Sequence, residues 1–264
     1  MPPEAGTVRV TAVIAVLCSL TDVAALRLAR ELGRRNEEVS IITAESLSFA
    51  SLRSQRITDG TITTQVLAHS TELAGSPRGV VNRMLAPPVH AWAKAPAVER
   101  EYVTCELNAF VLSWLAALRC PVRNRPRPEC LAGTAPHPAV ALAAAAKAGL
   151  AIPPLRYGSR RCPMDAYPMG AAHRGATADA YGYQVTCLDT AVVGGDVPSD
   201  VRAAIARFAY NIGAEDALIG IDFVIDRGRW TYAGMTPVPS LDGVVEAVAD
   251  RLIEVFRGDE LVSP

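Results

Sequence analysis

Apolar and polar positions alternate along this chain in a way that divides it into strands and helices before any motif is considered. Residues 8–17 are almost continuously apolar and bounded by polar residues, the signature of a buried strand. Asp22 then stands where an N-cap belongs, ahead of Val23-Ala-Ala-Leu-Arg-Leu-Ala-Arg-Glu-Leu, in which apolar residues recur at helical spacing. Glu38–Thr43 reads as a second strand. A strand, helix and strand joined by short connections predict a parallel sheet covered by helices. Further short strands are predicted at residues 61–68 and at Gly79–Asn82.

Pro87–Pro96 reads as a proline-punctuated connector. A helix is expected over Glu99–Arg119, with Tyr102, Leu107, Phe110, Val111, Trp114, Leu115 and Leu118 on one broad apolar stripe. Pro121–Asn124 is a short strand that Pro126 and Pro128 keep from continuing. Pro138–Ala148 is an alanine-rich helix with Gly149 as its C-terminal cap, and Pro153 and Pro154 stop it. Residues 156–183 show no usable periodicity and read as loop, sticky for one because of Tyr157, Tyr167, Tyr181, Tyr183, Met164 and Met169. A strand is expected over Gln184–Val193 and an amphipathic helix over Pro198–Gly213, with Val201, Ile205, Phe208 and Ile212 on its apolar face. Leu218–Ile225 and Arg229–Ala233 form an antiparallel pair turning at Asp226-Arg-Gly228, and a last helix runs over Asp242–Phe256.

Composition narrows the function. The chain has 264 residues and a net charge of -1, enough for a substantial core but without the basic field that holds nucleic acid or an anionic membrane. No apolar run reaches the length of a bilayer span, and residues 8–17 lack the flanks of a signal peptide. The six cysteines and four histidines are scattered without metal-ligand spacing, which argues against a zinc site and for reduced thiols in the cytoplasm. Lys94 and Lys147 are the only lysines. The turn after the first strand, Cys18-Ser-Leu-Thr-Asp22, has no glycine-rich fingerprint for a dinucleotide.

Three ordered segments nevertheless resemble the ATP-grasp superfamily, especially its peptide-modifying maturases and the glutamate ligases of the ribosomal-protein type. The first is Gly79-Val-Val-Asn-Arg83, then Glu99-Arg-Glu-Tyr102 and the helix after it, reaching Val122-Arg-Asn-Arg-Pro126, which is similar to the family's Asn-Arg-Pro step. The second is Leu142–Pro154, ending Ala148-Gly-Leu-Ala-Ile-Pro-Pro154. The third is Ile219-Gly-Ile-Asp-Phe-Val224 with Trp230–Pro239, which resembles the family's Asp-Phe strand and the metal-binding strand that follows it. The resemblance implies an α/β architecture: a parallel-sheet, pre-ATP-grasp-like domain over residues 1–97, and a helical connection and first lobe over 98–155. A reduced middle lobe over 156–184 and a C-terminal α+β lobe over 185–264 complete it.

ATP-grasp ligases form an acyl-phosphate from ATP and a carboxylate, and an amine or hydroxyl then attacks it. That chemistry needs cations for the phosphates and oxygen ligands for magnesium. This chain departs from the family at those positions. No lysine stands in Leu131–His137 or after Arg156-Tyr-Gly-Ser-Arg-Arg161, where the family places its two. Gly234-Met-Thr-Pro237 replaces Glu-x-Asn-Pro, which leaves Asp222 with only the Thr236 hydroxyl as metal-ligand candidates. The expected function is therefore a degenerate, non-catalytic binding or scaffold subunit with a protein or peptide partner, in peptide or natural-product biosynthesis. No cofactor, nucleic acid or membrane is expected, and self- or hetero-association is left open. Arg83, Asn124 and Arg125 are the groove candidates, joined by Arg160 and Arg161 as stand-ins for lysine. The rival expectation is an active carboxylate–amine ligase that uses ATP and magnesium with those arginines. An unrelated small-molecule enzyme reusing the cleft is a third, and a Cys–His nucleophile would belong to it.

Overall fold

In the computed structural model, residues 13–59, 61–68, 71–72, 77–154 and 179–258 are described. Strand β1 (Ile14–Cys18), helix α1 (Val23–Arg34) and strand β2 (Val39–Thr43) form the predicted unit, with β1 and β2 parallel from Ile14↔Val39 to Cys18↔Thr43. A one-turn helix, α2 (Ala44–Ser48), follows. Next come β3 (Leu52–Thr58), β4 (Thr61–Ala68) and β5 (Thr71–Glu72), an antiparallel sheet of their own. Strand β6 (Gly79–Asn82) returns beside β1. After α3 (Ala97–Ala117), β7 (Val122–Arg123) pairs in parallel with β6, so the first sheet runs β2-β1-β6-β7.

Helix α4 (Pro138–Ala148) ends, as predicted, at Gly149 in the left-handed region (φ +89). Strands β8 (Tyr181–Leu188) and β9 (Ala191–Val193), helix α5 (Ser199–Asn211), strands β10 (Leu218–Asp226) and β11 (Arg229–Thr236) and helix α6 (Val245–Gly258) complete the chain. The second sheet is antiparallel, in the order β11-β10-β8-β9.

Three expectations need correction. Gln184–Val193 is a hairpin rather than one strand, and it reverses at Asp189 (φ 51) and Thr190 (φ 68), the paired left-handed geometry that fits a two-residue turn. Its first strand begins at Tyr181, inside the stretch read as loop; residues 155–178 lie outside the described part. Strand β3 was not anticipated. Leu-Arg-Ser-Gln-Arg-Ile-Thr carries little apolar signal, and the strand forms by pairing with β4 from Leu52↔Leu67 to Thr58↔Thr61. On α3, burial begins only at Leu107 and Tyr102 is 67% exposed, so the apolar stripe is shorter than its spacing suggested.

Helices cover both faces of the first sheet because its side chains alternate between them. Ala15, Leu17 and Val80 face Val111, Trp114 and Leu115 of α3, together with Leu47 and Val66. Ile14, Val16 and Val81 face α1 and α6, through Leu28, Leu32, Val248, Leu252 and Phe256, and Leu188 and Leu218 of the second sheet join that core. Helices α4 and α5 cover the second sheet, with Phe208 against Tyr232. No helix of the described residues is long and apolar enough to cross a membrane.

Gly79 marks the tightest approach in this packing, since a Cβ there would lie 2.5 Å from the Phe256 ring. Gly79→Ala is expected to destabilise the fold by about 3 kcal/mol through overpacking, read as a lower urea midpoint. Phe256→Leu should recover part of that loss in the double variant. An unchanged midpoint for Gly79→Ala would remove the close-packing account.

Candidate functional site

Strands β1 and β6 are neighbours, but the chain leaves them toward opposite faces of the sheet. From β1 it passes to α1, and from β6 it continues toward α3. A crevice opens where such connections diverge, at the carboxyl ends of the strands. Here it is a cavity of about 460 Å³, bounded by Ser19, Thr21–Ala24, Arg83–Pro87, His90 and the Val238–Ser240 segment that follows β11.

Its polar wall is tightly bonded. Asp22 caps α1 by accepting from the Ala25 N–H (3.0 Å). The same carboxylate takes Nε and Nη2 of Arg83 at 2.8 and 3.1 Å, and Arg83 Nη2 also donates to the Pro239 carbonyl (2.9 Å). The Arg83 side chain is only 2% exposed, so Arg83 joins the end of β6 to the loop after β11. Glu45 accepts from the Leu20 N–H (3.1 Å) and the Ser19 hydroxyl (3.3 Å), with His90 Nε2 3.7 Å away. Burial pushes the Glu45 carboxyl up, but these donors and its own N–H outweigh it and hold the group below the usual carboxylate range. Cys18, at the end of β1, is pushed up to about 11 by burial and then by Asp22, so it is an inert thiol rather than a nucleophile.

Asp222 belongs to a second cluster, on β10. It lies opposite Gln184 of β8 on one side and Gly234 of β11 on the other. Gln184 Nε2 donates to Asp222 Oδ1 (2.8 Å), and Gln184 Oε1 accepts from the Ser240 N–H (2.9 Å). Thr236 Oγ1 accepts from the Val238 N–H (3.2 Å). A Cβ at Gly234 would stand 3.6 Å from Asp222 Oδ2, so the backbone leaves room for a side chain that this sequence does not supply. Among the described residues no group of three His, Cys, Asp or Glu could hold a metal ion. Asp222 has an amide donor on one oxygen, and the Thr236 hydroxyl is engaged by backbone. These residues do not fit a magnesium site, which wants several free oxygen ligands.

The groove expected from Arg83, Asn124 and Arg125 is divided. Arg83 walls the main cavity, whereas Asn124 and Arg125 line a separate one of about 270 Å³ with Arg127 and Asp216. Asn124 is 1% exposed, with a left-handed φ of 62. Its side chain accepts from the Leu218 N–H (2.7 Å) and donates to the carbonyls of Leu218 (3.0 Å) and Pro237 (2.8 Å), which bolts the two sheets together. Arg125 is exposed and donates to the Leu115 carbonyl (3.1 Å). Arg160 and Arg161 lie outside the described residues.

Sequence reasoning missed Gln184 and Ser240 in the Asp222 cluster, and it missed the Asp22–Arg83 pair. Register carried the signal for that pair. β1 and β6 are parallel with Leu17 beside Asn82, which sets Arg83 at the end of β1, and the turn into α1 brings its N-cap Asp22 over it.

No family model and no curated relative matches the chain. Solved structures do match in fold. The macrocyclase MdnC of Microcystis aeruginosa MRC, bound with precursor peptide MdnA, superposes with a TM-score of 0.66 at 10% identity, over 92% of this chain and 99% of that one. MdnB, a macrocyclase of the same organism, gives 0.62 at 13% identity, over 91% and 99% of the two chains. The ATP-grasp ligase PsnB, complexed with minimal precursor, Mg and ADP, gives 0.61 at 16% identity, over 92% and 98%. This chain, with its parallel first sheet and antiparallel second sheet, therefore shares the fold of the ATP-grasp ligase PsnB and of the two macrocyclases.

Proposed function

We propose that this protein is a non-catalytic, peptide-binding subunit of a biosynthetic system that modifies ribosomally made peptides. The observation that carries the reading is the Asp222 cluster. The acid that the resemblance assigns to magnesium is hydrogen-bonded by Gln184, and Gly234 and Thr236 stand where a carboxylate and an amide would complete the metal set. The fold supports a peptide partner, since MdnC is bound with a precursor peptide and PsnB with its own. In this reading the chain works in the cytoplasm, needs no nucleotide, and presents a precursor peptide or holds a catalytic partner.

The test is a thermal melt of the full chain with ATP and magnesium. A nucleotide present at about 100 times its dissociation constant would add about 2.7 kcal/mol of stability, several degrees in Tm. The expected shift is nil, with or without magnesium. A saturable, magnesium-dependent rise would overturn the scaffold reading in favour of an active ATP-dependent ligase using arginines for its phosphates.

A further inference from the structure

One peptide unit, that between Pro239 and Ser240, is gripped from both sheets. Its carbonyl, at Pro239, accepts from Arg83 Nη2 (2.9 Å), and its N–H, at Ser240, donates to Gln184 Oε1 (2.9 Å). Arg83 directly follows β6 of the first sheet, and Gln184 is in β8 of the second. The bonds continue outward on each side. Arg83 reaches Asp22 and through it the Ala25 N–H of α1, while Gln184 Nε2 donates to Asp222 Oδ1 (2.8 Å) on β10. Hydrogen bonds in series strengthen one another, and a peptide bonded at both ends of its dipole is fixed in position and tilt. This peptide belongs to the Val238–Ser240 wall of the main cavity.

The Gln184 amide has a prepared seat. A Cβ at Gly220 would lie 2.8 Å from Gln184 Cδ and 3.1 Å from its Nε2, so the amide rests on backbone that carries no side chain. Gly220 lies opposite Thr186 on β8, two residues from Asp222, and is not among the glycines with positive φ. Glycine is therefore needed there for space and not for backbone freedom.

The polarity of the cluster also selects an amide. A primary amide donates at one end and accepts at the other, so it can bridge a carboxylate and an N–H. A metal ion takes lone pairs from oxygen; it could hold Asp222 but would repel the Ser240 N–H.

We infer that Gln184 does here the holding that a metal ion would do beside Asp222. Its amide ties β10 to the loop after β11 and, through the Pro239–Ser240 peptide, fixes the wall of the crevice. Gln184 is thus a positioning residue, and the crevice keeps its shape without a divalent cation. It plays this part whether or not the chain binds a peptide.

The test compares full-length wild type, Gln184→Ala, Gly220→Ala and Gln184→Glu by amide hydrogen exchange and thermal melts, in chelator and in magnesium. In Gln184→Ala the Ser240 amide should exchange about tenfold faster, the scale of one lost hydrogen bond. The melting temperature should fall by about 3 °C, and magnesium should restore neither. Gly220→Ala should reproduce the faster Ser240 exchange, because its methyl displaces the flexible Gln184 amide while no polar atom is deleted. Gln184→Glu keeps the length and the acceptor but sets a second carboxylate against Asp222, so magnesium should now raise its melting temperature above that in chelator. Unchanged Ser240 exchange in Gln184→Ala or Gly220→Ala overturns the inference. Recovery of Gln184→Ala in magnesium overturns it too, as does a Gln184→Glu protein that magnesium does not stabilise. All these readouts come from the variants, whereas the proposed function is tested on wild type with ATP and magnesium, so each can fail without the other.

Discussion

Replacing Asn124 with alanine is expected to destabilise the protein by about 4 kcal/mol, more than any surface change could. The side chain is buried and makes three hydrogen bonds to main chain at Leu218 and Pro237. Truncation leaves those main-chain groups without their partner in a water-free interface, at about 1–3 kcal/mol for each group left unsatisfied. It also forces alanine into the left-handed conformation that asparagine tolerates, here φ 62. For a chain of this size the loss corresponds to a Tm lower by about 10 °C. Asn124→Gly separates the two contributions, because glycine keeps the backbone geometry and loses only the bonds. A Tm within about 2 °C of wild type for Asn124→Ala would mean that the bonds do not hold the sheets together.

Arg83→Met is expected to cost about 3–5 kcal/mol, since it leaves the Asp22 carboxylate without its partner in a largely dry site. The side chains are 2% and 16% exposed, so solvent replaces the lost pairing only in part. Asp22→Asn removes the charge but keeps an N-cap acceptor for the Ala25 N–H. The double variant should therefore be more stable than the sum of the two single losses predicts. Urea unfolding of all four proteins in a double-mutant cycle measures the coupling. Additive losses would show that Arg83 and Asp22 act independently.

Elements whose cause is local were legible in the sequence. Helix α4 has proline at its start and Gly149 at its end, and the β10–β11 turn has Arg227 and Gly228 where left-handed residues are required. The first parallel unit followed from an apolar run, a capped amphipathic helix and a second run. Strand β3 escaped because polar residues dominate it and its cause is pairing with β4. Composition also could not show the β8–β9 reversal, since Asp189 and Thr190 are not glycine, and the Asp189 carboxylate is held by Arg123, 66 positions away in the chain.

The site divides along the same line. The resemblance picked out Asn124 and Arg83, which prove to be braces of the fold. The departures at Gly234 and Thr236 were plain in the sequence, whereas the Gln184 amide on Asp222 depends on the pairing of β8 with β10. Motif position reports descent, and only the pairing of strands reports what a side chain now touches.

The packing of α6 against α1 also sets an order on synthesis. Strand β1 and helix α1 leave the ribosome with one apolar face that the chain covers only when α6 emerges. Asn124 likewise waits for partners 94 and 113 positions later. Until then the nascent chain carries Ile14, Val16, Leu28 and Leu32 without their final cover, the state in which chaperones engage and aggregation begins. A nonsense codon just ahead of Val245 would thus uncover β1 and α1, more than 200 positions earlier, and not merely remove α6.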